Sequence, residues 1–168
     1  MPFIALALVI AAAVGGGTAL AAENALPGDP LWSVKVGVDE RLAGMLATDD
    51  QAQAQWDLAA IQTRLGEAQQ LSSKGALTAQ TEADLADNLN VHVDDLSARV
   101  ATLQRTGQAQ AAATLAADFQ ASMAHSAAAL GTASATQNTF LTDVHTTLDE
   151  ASSLSADAQA AAAASSTK

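Results

Sequence analysis

After Pro30 the chain contains no proline, and its larger apolar residues recur at steps of three and four, without the alternation of β-branched and aromatic residues that marks strands. Such spacing lines them up on one side of an α-helix, so the fold class is all-α. Alanine makes up more than a quarter of the 168 residues and aromatics only 3%, so few large side chains are available and the core is thin. The connections between the expected helices are short and force antiparallel neighbours. The expected architecture is therefore an up-and-down antiparallel bundle of four to five helices, preceded by an N-terminal apolar signal or anchor helix.

Asp29-Pro30 marks the first helix of the bundle. The carboxylate is expected to cap open amides, and proline suits the first helical position because no N–H is needed there. Leu31, Val34, Val38, Leu42 and Met45 form its narrow apolar face, weakened by Gly37 and Gly44. Thr48-Asp49-Asp50-Gln51 has capping-box spacing, which opens a second helix running to Gly75. Its face is Ala54, Leu58, Ile61, Leu65, Ala68 and Leu71, with Trp56 beside it. Thr78 is placed to cap a third helix, whose seam of Leu89, Val93, Leu96, Val100 and Leu103 has coiled-coil periodicity up to Gly107. A fourth, from about Gln108 to Leu130, carries Leu115, Phe119, Met123 and Leu130, with Gly131 expected to break it. A fifth is expected from Ser134, with Leu141, Val144, Leu148 and Ala151 on one face, fading into an Ala/Ser tail from Ser155. The layout read from this is a signal peptide or anchor over 1–21, a linker over 22–28, a helical domain over 29–154 and a tail over 155–168.

The N-terminal assignment rests on the uncharged apolar run Phe3–Val14, the glycines at 15–17 and the small-x-small triplet Ala19-Leu20-Ala21. Cleavage after Ala21 would release the chain outside the cytoplasmic membrane; retention would anchor it there, with membrane contact only through residues 1–21. Eighteen acidic against seven basic residues give a formal net charge of −11, which argues against nucleic acid and anionic lipid as partners, since both need basic patches. With no cysteine, disulfides, thiol nucleophiles and cysteine-based zinc sites are excluded.

The stretch Leu26-Pro27-Gly28-Asp29-Pro30-Leu31-Trp32-Ser33-Val34-Lys35 resembles the hallmark of an uncharacterised bacterial extracytoplasmic domain family. There a Leu-Pro-Gly-Asp-x-Leu-aromatic-x-Val-Lys run follows a signal or membrane segment. Leu58-Ala59 and Arg64-Leu65-Gly66-Glu67-Ala68 fit the core of a later family helix, and the resemblance covers roughly residues 26–105. Trp32 stands where the family has Tyr, and Ser33 where Pro is common. The resemblance implies a helical domain outside the cytoplasmic membrane, sometimes attached to proteins that look like membrane-bound anti-sigma regulators. It brings no catalytic residues.

Among the residues with functional groups, Asp29 is expected as a helix cap, Lys35 as a partner of Asp39 and Arg64 as a partner of Glu67 or an inter-helix clamp. Trp32, Lys35 and Arg64 are the candidates for contact with a protein partner, although core packing is the plainer role for Trp32 and Trp56. Asp84, Asp87, Asn88, His92 and Asp95 step along one side of the third helix. The metal candidates among them, Asp84, Asp87, His92 and Asp95, would hold a hard divalent ion weakly; a solvated acidic face is the plainer account. Met123, His125 and His145 raise a soft-metal site, but residues two apart on a helix face different ways. No motif for nucleophilic, phosphate or zinc chemistry is present, so no enzyme activity and no cofactor are expected. The leading expectation is a secreted or envelope-associated helical domain that binds an envelope protein. The rival is an extracytoplasmic metal-binding or metal-responsive protein.

Overall fold

The structure, a computed structural model, describes residues 24–39, 46–133 and 139–167. The expected signal or anchor segment lies outside the described residues. The chain falls into two units, one ending at Thr48 and the other beginning at Asp49.

In the first unit, the helical turn α1 (Trp32–Val34) passes directly into a π-helical turn at Lys35–Asp39. The regular helix expected from Leu31 is thus underwound after one turn. Gly37, which disfavours helix relative to alanine, lies in the middle of the π-helical residues.

The second unit is a bundle of four helices: α2 (Asp50–Ser73), α3 (Ala79–Arg105), α4 (Ala109–Ala133) and α5 (Thr139–Ser166). Helix α2 is capped by Asp49, whose carboxylate accepts from the Ala52 N–H at 2.8 Å, and not by Thr48 as the capping-box spacing suggested. An ionised acid is the stronger acceptor at a helix N-terminus. It ends where Gly75 takes a positive φ, with Ala76 N–H donating back to Leu71 and Gly75 N–H to Ser72. Gly107 ends α3 in the same way, through Gln108 to Leu103 and Gly107 to Gln104. Thr78 caps α3 in a reciprocal capping box with Thr81.

The α3 seam is buried in full, from Leu85 through Leu89, Val93, Leu96 and Val100 to Leu103, each side chain contributing about 1.5–3 kcal/mol of transfer free energy. Two expectations for the second half are corrected. Gly131 lies within α4, which runs on to Ala133, because a lone glycine costs only about 1 kcal/mol and Ala-rich surroundings carry the helix through. Helix α5 does not fade at Ser155: it continues to Ser166, with Ser155, Ala158 and Ala162 buried. Small side chains hid that stripe from hydrophobic periodicity. Its buried face also starts from Phe140 and Thr147, leaving Leu141 and Leu148 half-buried at its edge.

Consecutive helices are antiparallel, as the short links require, but the bundle is not a simple ring. Helix α2 packs on α3 and α4, while α5 packs on α4 and α3, so α2 and α5 take opposite corners. Gln62 bonds Ser122 and Gln69 bonds Ser126, pairs whose numbers rise together, so α2 and α4 run parallel. Helices α3 and α5 are the second parallel pair.

Candidate functional site

The motif at residues 26–35 is a self-bracing turn. Leu26-Pro27-Gly28-Asp29 closes through Asp29 N–H donating to the Leu26 carbonyl at 2.9 Å, with Gly28 at φ 96°. Proline and glycine in the second and third positions match what a type II turn requires. The Asp29 carboxylate accepts from the Leu26 N–H at 2.8 Å, so it braces the turn and is not the expected cap of the following helix; Leu31 occupies the cap position without a side-chain bond. Lys35 Nζ reaches the Ala25 carbonyl at 3.5 Å, while the side chain of its expected partner Asp39 lies outside the described residues. Trp32 is half-buried, and Ser33 and Val34 are exposed beside it.

Arg64 is fully buried and bonds the Glu67 carboxylate, itself 3% exposed. Burial lowers the Arg64 pKa below its ordinary value, against the attraction and hydrogen bond of Glu67, which raise it. The guanidinium stays charged throughout the physiological range. Its bond to Glu67 on the same helix matches the first of its two expected structural roles, and its depth removes it from any outward contact face.

A second buried acid was missed by the sequence reading. Asp57 on α2 is 3% exposed, and its carboxylate accepts from Arg99 Nε at 2.9 Å and lies 3.1 Å from His92 Nδ1, both residues on α3. Asp50 adds a longer contact, 3.9 Å from Arg99 Nη1. The available signal was positional: Asp57 and Arg64 interrupt the apolar stripe of α2, and His92 and Arg99 each immediately precede a seam residue of α3.

The α3 acids do not converge with His92. Asp84 is half-buried and bonds Gln80, Asp87 and Asp95 are exposed, and His92 turns to Asp57. Among the described residues no group of three or more His, Asp or Glu side chains is placed to hold a metal ion. Met123 is buried in the core, while His125 and His145 are exposed on α4 and α5. Trp56 is half-buried on α2.

An open groove of about 400 Å³ runs between α2 and α4. Gly66 and Ala121 keep it wide, and the two Gln–Ser bonds cross it. Nothing lies within 4 Å of where a Gly66 side chain would begin.

The model of a family described as a domain of unknown function (DUF5667) matches residues 24–167. The chain belongs to this family. The DUF5667 match begins just ahead of the Leu-Pro-Gly-Asp turn and covers all four bundle helices, well beyond the stretch ending near residue 105 that carried the resemblance. No curated protein and no solved structure matches the chain. Among the described residues no helix is long and apolar enough to cross a membrane.

Proposed function

We propose that this DUF5667 domain is a non-enzymatic helical module of the cell envelope, secreted or membrane-anchored, that presents the Leu26–Lys35 unit to a protein partner. The supporting observation is how that unit uses its polar groups. Asp29 bonds the unit's own backbone and Lys35 the Ala25 carbonyl just ahead of it, so they hold its shape, while Ser33 and Val34 face outward next to a partly exposed Trp32. A braced turn carrying an aromatic and an aliphatic side chain suits protein contact, because little conformational entropy is lost on docking. Lys35 thus acts as a positioning residue and Trp32 as the anchor. The signal-like start and acidic charge support an extracytoplasmic location without nucleic-acid partners.

The test is site-specific photo-crosslinking from Ser33 in the full chain, expressed in its native cells and followed by fractionation. A discrete crosslinked species in the envelope or secreted fraction, lost in the Trp32→Ala variant, is expected. A chain that stays cytoplasmic, or that gives the same crosslinks with and without Trp32, overturns the reading.

A further inference from the structure

The link between α3 and α4 is three residues long. Thr106 has φ −90° and ψ 10°, and its N–H already donates to Thr102 four residues back. On the far side, Ala112 N–H donates to Gln108 at 3.1 Å, again at helical spacing. Between them Gly107 is left-handed, at φ 82°, in the turn closed by the Gly107 N–H bond to Gln104 and the Gln108 N–H bond to Leu103. Bringing residues 106–108 to helical dihedrals would join α3 and α4 into one helix.

The two hairpins such a rotation would separate meet along a weak seam on the α2/α4 side. On that side the Gln62–Ser122 and Gln69–Ser126 bonds cross an open groove lined by Gly66 and Ala121 beside Leu65. Within the α2–α3 hairpin, by contrast, the bond between buried Asp57 and half-buried Arg99 and the Leu/Val seam hold the helices together.

We propose that this bundle exchanges hairpins with a second copy of its own chain, using Gly107 as the hinge. The occupant follows from the geometry. The face uncovered on an α2–α3 hairpin is complementary to an α4–α5 hairpin, and a second copy supplies that hairpin with every contact reproduced. Closed and exchanged forms therefore differ only at residues 106–108. Short hinges are where such exchange arises, and here three residues of backbone separate the two forms.

Because the chain has no cysteine, thiols placed at Gln62→Cys and Ser122→Cys report which chain's α4 lies against a given α2. The full chain with this pair and Gly107→Ala is folded, diluted and treated with a short bismaleimide. Alanine disfavours the left-handed hinge, so the expected product is a dimer by light scattering with cross-links between chains by denaturing mass analysis. A folded monomer cross-linked only within itself overturns the proposal. If Gly107→Ala abolishes the helical circular dichroism signal, the same thiol pair in a chain retaining Gly107 decides. Refolding at rising concentration, followed by dilution, is then expected to give a rising share of cross-linked dimer, and cross-links confined to monomers at every concentration overturn the proposal.

Discussion

Asp57 of α2 holds Arg99 of α3 through a 2.9 Å bond from Nε, with the carboxylate almost fully withdrawn from water. The same carboxylate faces His92, two turns earlier on α3. One acid therefore fixes two points of the α2–α3 hairpin and sets its register. Replacing it by Asn removes the charge that compensates Arg99 and weakens both bonds. Asp57→Asn is expected to destabilise the domain by about 1–3 kcal/mol, read as a lower urea midpoint at unchanged m-value. Asp57→Asn combined with Arg99→Met is expected to cost less than the sum of the single changes.

The Arg64–Glu67 pair predicts a stronger asymmetry. Arg64→Met leaves a buried carboxylate behind and is expected to cost about 3–5 kcal/mol, whereas Arg64→Met with Glu67→Met is expected to recover part of it by removing both charges. Chemical denaturation of the three variants measures this. Arg64 adds no pH dependence near neutrality, being protonated in both states. Because its folded pKa lies below the unfolded value, the unfolded chain binds more protons in the interval between them, so this group makes stability rise with pH there, far into the alkaline range.

The start of α2 gives a comparison between adjacent residues. Asp49→Ala is expected to lose about 1 kcal/mol, because the Ala52 N–H loses its acceptor, while Thr48→Ala is expected to fall within about 0.5 kcal/mol of the parent. Thermal denaturation of the two variants distinguishes a cap at Asp49 from one at Thr48.

In the last turns of α5, Ala158 is fully buried and Ala160 exposed. Ala158→Leu is expected to cost about 1–3 kcal/mol through overpacking, and Ala160→Leu to have little effect. Equal stability of the two variants by urea titration would show that residues beyond Ser155 do not pack on the bundle.

What was legible in the sequence depended on side-chain size and on chain locality. The α3 seam stood out because five Leu and Val residues from Leu89 to Leu103 mark it, and Gly75 and Gly107 stood out because a left-handed terminus favours glycine. The course of α4 past Gly131 and of α5 past Ser155 was obscured because alanine signals neither a buried nor an exposed face. Asp57 was overlooked for another reason: its partners lie 35 and 42 residues away on another helix, and no periodicity within one helix reports them. The parallel pairing of α2 with α4 was equally hidden, since loop length constrains consecutive helices only. In the motif, neither the Pro27-Gly28 turn, which falls in what was read as a linker, nor the direction in which Asp29 bonds was expected.

The alanines that line α4 and α5 also bear on temperature. Ala112, Ala116, Ala151 and Ala158 are fully enclosed yet each withdraws little hydrocarbon from water. Unfolding this half therefore uncovers less apolar surface per residue than unfolding a Leu-rich pair of helices would, and the heat capacity rises less. A small heat-capacity increment flattens the curve of stability against temperature, so the α4–α5 half is expected to lose less stability on cooling than the α2–α3 half, whose Leu and Val seam depends on the hydration of larger groups.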